Sequence, residues 1–242
     1  PAQNNAGINR YKTLVSFMGS YKRAIGKPML EGRKLGFFET PAYAGECKNY
    51  DICEEMCALA AAHEEQTKNL RLISDGWNTR ARTDDKELRE KQGVTSHGTN
   101  DRLHLLEEWE RPANLIISMA KELLKHADRE HWYSSRAGIE SMWYSMYPDG
   151  GYIPEHIHSN VAFSGVFYAN AEHDAGDLVF HDPAWHLKSA VWVNDAPAQA
   201  ITKRQFPVYT GVMFVFPGWL PHSTMPNKSG EDRVIIGFNL GF

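Results

Sequence analysis

An α+β fold, a jelly-roll barrel of the double-stranded β-helix or cupin-like kind with helices packed outside it, is what this sequence predicts. Three observations carry the prediction. The first half has apolar residues at helical spacing. Past Ile139 the texture changes to short β-branched and aromatic runs: SMWYSMYP, GYIPEHIH, VAFSGVFYA, GDLVFHDP, AVWVN, GVMFVFP and RVIIGFNLGF, punctuated by DGG, AGD, TG, PG and SG turns. No helix of useful length fits between those runs, which argues for an antiparallel double sheet over a parallel one.

In chain order, Tyr11, Leu14, Val15, Phe17 and Met18 give a partial apolar stripe that GKP stops, so residues 1–34 read as an N-terminal helical extension. Residues 35–242 read as one domain, with helical support over 45–130 and a jelly-roll core over 138–242. LGFFETPAYA is a strand that Pro41 confines to a sheet edge or a bend. In DICEEMCALAAAHEEQ, Ile52, Met56, Leu59 and Ala60 recur at helical spacing. The stretch from Gly76 to Arg102 is polar and turn-rich, a long loop. A second helix follows, started by Pro112, with Leu115, Ile116, Met119, Leu123 and Leu124 as its stripe.

Composition narrows the function classes. The chain has 242 residues, and 26 basic against 30 acidic residues give a formal net charge of -4. No block of like charge points to nucleic acid or to an anionic membrane surface, and no run approaches the roughly 18 apolar residues of a membrane span. Cys47, Cys53 and Cys57 are an odd number crowded into one stretch, a poor disulfide framework. Cys53 and Cys57 share a helix face and read as packing. A soluble, cytoplasmic protein is the expectation, and a homodimer is compatible with apolar helices beside a barrel.

The chemistry-bearing pattern is PEHIHSN. If this stretch is extended, His156 and His158 share one strand face and two imidazoles can hold one metal. GVMFVFPGWLPHSTMP delivers a third, His222, where an apolar strand ends at a Pro-Gly turn. His173, His181 and His186 lie close enough in sequence to compete. Ligands on a barrel lip leave open coordination positions.

Several blocks resemble the Fe(II)- and 2-oxoglutarate-dependent dioxygenases, specifically a bacterial and phage group of 2OG-Fe(II) oxygenases. WYSMYPDGGYIPEHIH is similar to that group's strand, turn and first metal ligand, and SGVFYANAEHDAGDLVFHDP to its next two strands. GVMFVFPGWLPHSTMP is similar to the distal-histidine strand and EDRVIIGFN to the closing strand, with a fainter echo in FFETPAYA and GWNTR. The resemblance implies His156 and His222 as iron ligands. It implies Arg233 as partner of the far carboxylate of 2-oxoglutarate, for which a planar guanidinium fork is suited. Tyr147 and Tyr168 stand where phenols often line the co-substrate.

One departure stands out: His158 occupies the place of the usual carboxylate of a two-histidine, one-carboxylate triad. A three-histidine centre, a carboxylate from Asp182 or Glu155, or a His158 that faces substrate would each account for it. Glu155 is out of phase with His156 and should point away. The implied activity is hydroxylation of an unactivated C–H bond, with O2 and 2-oxoglutarate consumed and succinate and CO2 released. A small polar substrate such as an amino acid, or a peptide side chain, suits the aromatic and basic residues of two segments: Trp77, Arg80, Arg82 and His97 in 76–102, and Trp185, Lys188, Trp192, Lys203 and Arg204 in 184–204. The alternatives are a cupin-type three-histidine metal enzyme that does not use 2-oxoglutarate, and a metal-free jelly-roll binding protein.

Overall fold

The computed structural model describes residues 40–67, 94–96, 100–127, 132–185 and 202–242. The expected N-terminal helix, the AVWVN strand and most of the polar 76–102 loop lie outside these residues. Among the described residues no helix is long and apolar enough to cross a membrane.

The strands are β1 Tyr43–Glu46, β2 Val94–Thr95, β3 Gly138–Tyr147, β4 Phe163–Asn170, β5 Leu178–His181, β6 Lys203–Phe206, β7 Val212–Pro217, β8 His222–Thr224 and β9 Arg233–Gly241. They form two antiparallel sheets. The larger has the order β1-β7-β4-β9-β3-β2 and the smaller β6-β5-β8. The helices are α1 Tyr50–Thr67, α2 Glu110–Leu124 and the short α3 Trp132–Arg136. Pro112 falls in the first turn of α2, where a missing N–H costs no hydrogen bond, so the helix begins two residues earlier than the proline suggests.

Alternation along β9 explains why RVIIGFNLGF reads as almost wholly apolar. Val234, Ile236, Phe238 and Leu240 point to one side and pack in a cluster with Ile52 and Met56 of α1 and Ile116 and Leu124 of α2. Arg233, Ile235 and Asn239 point to the other, where Ile235 joins Tyr147, Tyr168, Phe214 and Phe180. A sheet covered on both faces needs apolar residues in both phases. Phe238 is fully buried on the helix side. Phe238→Ala should lower unfolding free energy by about 3–5 kcal/mol, read from urea denaturation.

Two sequence expectations are corrected. GYIPEHIH is not a strand: between β3 and β4 its ladder pairing is limited to one isolated bridge, His156 with His222. Two prolines, Pro148 and Pro154, and two glycines, Gly150 and Gly151, withhold the donors and regularity a strand needs. Conversely, Lys203 and Arg204, at the end of the 184–204 segment, begin a strand, Lys203–Phe206, that pairs with β5 and is exposed along its length. Its charged residues gave no alternation signal because neither of its faces is buried.

Candidate metal centre

Phe180 and His222 are register partners in the smaller sheet, so β8 carries His222 and Thr224 on the face turned toward the larger sheet. His222 also exchanges both backbone hydrogen bonds with His156, at 3.0 Å each. His158 N donates to Gly218 O at 2.8 Å, which turns the irregular segment back toward the start of β8. As a result the three rings meet: centroids lie 4.2 Å apart for His156 and His222, 5.2 Å for His158 and His222, and 5.3 Å for His156 and His158. One ligating atom of each lies within 4.8 Å of the others, and among the described residues this is the group of histidine, cysteine and acidic side chains that could hold a metal ion.

Backbone contacts set the tautomers. Nδ1 of His156 is 2.9 Å from Pro154 O and Nδ1 of His222 is 2.9 Å from Leu220 O. A carbonyl only accepts, so each Nδ1 carries the proton and each Nε2 presents its lone pair. Burial first, then the neighbouring His156 and His158, hold the pKa of His222 well below its ordinary 6.5. The ring is neutral at neutral pH, the state a metal requires. Because folding depresses this pKa, the unfolded chain takes the proton first. The metal-free fold should hold its urea midpoint above pH about 7 and lose stability as pH falls below 6.5.

The third ring is fixed differently. Trp143 lies 5.8 Å from His158 at 28°. Its indole occupies the space over Gly237, where an added Cβ would come within 2.5 Å of Cε2. Glycine at that register position of β9 lets the indole lie flat beside His158.

Beyond the histidines sits Arg233, 1% exposed. Its Nη1 donates to the carbonyls of Ala175, Gly176 and Met225, and its Nη2 donates to Thr224 Oγ1 at 2.9 Å. The guanidinium carbon lies 4.9 Å over the Tyr147 ring. Gly176, at φ +89°, has no room for a side chain: a Cβ would meet Met225 O at 2.3 Å and Arg233 Nη1 at 2.9 Å. Tyr168 is fully buried, and its hydroxyl has no hydrogen-bond partner within the protein. Burial, partly offset by Arg233, raises its pKa, so it is a neutral donor. A dry cation and an unfilled phenolic donor at one end of the space between the sheets fit an anionic ligand there. The donor set at the other end, three imidazoles, fits Fe(II).

Of the residues named from sequence, His156, His158 and His222 come together, and Tyr147 and Tyr168 come to Arg233. Asp182 is not in the histidine group; its Oδ1 accepts from Ala184 N at 2.9 Å and shapes the turn after β5. Glu155 is not in the histidine group either; it pairs with His181 Nδ1 at 2.9 Å. His173 is a 95% exposed surface group beside Asp174. His186 lies outside the described residues. Burial lowers the pKa of His181, with Glu155 opposing. Cys53 and Cys57 have thiols pushed up to about 11, chiefly by burial, so they are protonated packing groups. Thr224 and Trp143 went unnamed in the sequence reading, although each stands in a quoted block.

Residues 141–239 match the family described as "Putative 2OG-Fe(II) oxygenase". That stretch, the β-rich part of the chain, is similar to the 2OG-Fe(II) oxygenases. The fold agrees. AviO1 from Streptomyces viridochromogenes Tue57 superposes with a TM-score of 0.54 at 15% identity, over 84% of this chain and 90% of that one. A nickel complex of the non-heme monooxygenase ThoJ gives 0.52 at 9% identity, over 83% of this chain and 73% of that one. No curated protein sequence matches. The oxygenase family takes Fe(II) and 2-oxoglutarate, and the three-histidine group fits the iron.

Proposed function

We propose that this oxygenase is a hydroxylase of a small polar substrate such as an amino acid or a peptide side chain. His156, His158 and His222 hold its iron, and Arg233, Tyr147 and Tyr168 receive 2-oxoglutarate. The observation that carries the reading is the spacing along β8: Thr224, hydrogen-bonded to Arg233, follows His222 by two residues, about 7 Å of extended strand. That distance is comparable to the length of a five-carbon dicarboxylate. When bound, Fe(II) with 2-oxoglutarate supplies the oxidation, releasing succinate and CO2 as one oxygen atom enters a C–H bond.

The chain's own residues do the rest. Arg233 holds a carboxylate in a fixed orientation, and Tyr168 Oη donates to it. Phe180 and Phe216, both buried beside His222, keep water from that side. Substrate polarity is suggested by Asn239, whose Oδ1 is buried without a hydrogen-bond partner while Nδ2 donates to Ser141 Oγ at 2.9 Å. Such an acceptor is satisfied by a donor on the substrate. Exposed Tyr152, Ile157 and Trp219, next in sequence to the segments that carry the histidines, offer apolar contact at the rim.

The test is anaerobic addition of Fe(II) and then 2-oxoglutarate, followed by visible absorption, and then succinate release in air against a panel of amino acids and short peptides. A weak charge-transfer band and stimulation by one substrate class support the reading. Among the described residues no carboxylate joins the histidine group, which favours a second reading, a three-histidine enzyme that does not use 2-oxoglutarate. Iron binding with no band would select it.

A further inference from the structure

Glu155 and Ser223 are immediate neighbours of two candidate ligands, His156 and His222, and lie outside the histidine group. One side chain joins them. His181 Nδ1 lies 2.9 Å from Glu155 Oε2, and its Nε2 lies 2.8 Å from Ser223 Oγ. The ring is 9% exposed, and its own backbone is fixed by His181 N donating to Pro221 O at 2.8 Å. Since a carboxylate only accepts, Nδ1–H donates to Glu155, and the neutral ring accepts Ser223 Oγ–H at Nε2.

The ligand segment needs such a tie. Residues 151–162 are irregular, and backbone bonds tie them toward β8 between Ile153 and Thr224, between His156 and His222 and between His158 and Gly218. An irregular loop places ligand atoms with more spread than a strand does, and loosely placed ligands bind a metal more weakly. We infer that His181 is a positioning residue for the metal centre, a clamp from β5 that sets the spacing between the His156 segment and β8. The inference rests on the three-histidine reading of the centre. In the clamp, Glu155 fixes the loop side and Ser223 the strand side, and neither touches the metal.

Co(II) is the probe, added anaerobically to the full chain, with its dissociation constant and visible ligand-field spectrum as readouts. His181→Ala should raise the dissociation constant roughly tenfold or more and alter the band pattern, while the circular dichroism of the metal-free protein stays the same. His181→Asn retains an amide near the Nδ1 position and His181→Gln one near Nε2, so each should restore part of the affinity. Glu155→Ala and Ser223→Ala should each weaken binding, and adding either to His181→Ala should cost nothing further. If His181→Ala binds Co(II) as the unaltered chain does, with the same spectrum, the clamp is refuted. Should His181→Ala fail to fold, the exposed Glu155→Ala decides alone, and unchanged affinity there also refutes it. Failure of the unaltered chain to bind Co(II) would overturn the three-histidine centre itself, a separate result.

Discussion

Replacing His222 by alanine should abolish the iron centre while leaving the fold in place. Of the three rings it is the buried one, the only one of the group seated on a regular strand of the described residues, and both other rings lie within 5.2 Å of it. Removing it leaves two imidazoles on a segment outside any strand. The affinity for Fe(II) or Co(II) should fall by more than the roughly 10–100-fold that loss of an outer-shell partner costs. Any 2-oxoglutarate-dependent visible band should vanish with it. Because the ring is neutral in the folded chain, its loss uncovers no buried charge; the cost is a small cavity beside Phe216 and an unmet Leu220 carbonyl, about 1–3 kcal/mol. Equilibrium metal titration with a urea curve for the metal-free variant checks both parts. Retained binding would place the metal elsewhere.

Arg233→Met should separate the co-substrate from the metal. The guanidinium, itself buried, is the donor for the carbonyls of Ala175, Gly176 and Met225 and for Thr224 Oγ1. Methionine fills much of the volume and supplies no donor, so stability should fall by about 3 kcal/mol. The histidines are untouched, and Co(II) affinity should stay within about twofold. Affinity for 2-oxoglutarate should drop at least a hundredfold, the worth of a charge-assisted bidentate contact of about 3 kcal/mol. Arg233→Lys keeps the charge without the fork and should recover only part of it. The measurement is the concentration of 2-oxoglutarate that half-develops the visible band. Unchanged half-saturation in Arg233→Met would remove Arg233 from the co-substrate site and leave its role as a brace between β9 and the loops before β5 and after β8.

Much of this was readable in the residues. The helices α1 and α2 announce themselves through Ile52, Met56 and Ala60 and through Ile116 and Leu124, because a 3.6-residue period survives whatever packs against it. The strands β4, β7 and β9 were equally visible as β-branched and aromatic runs. The 151–158 stretch misled: its spacing of histidines is that of a strand face, yet its prolines and glycines keep it out of the sheet. The histidines converge through a single bridge and the Gly218 contact, neither of which leaves a periodic trace.

By itself, then, the sequence determined the helices α1 and α2 and the strands β4, β7 and β9, since period and turn chemistry are local properties of the chain. It also placed His156, His158, His222 and Arg233 in an order compatible with one site. Only the tertiary structure decided that these rings meet, that Asp182 stays out, that His181 ties Glu155 to Ser223, and that Trp143 can lie flat beside His158 because residue 237 is glycine. Those are contacts between strands far apart in the chain, set by sheet register, and register is a property of the packed pair rather than of either strand.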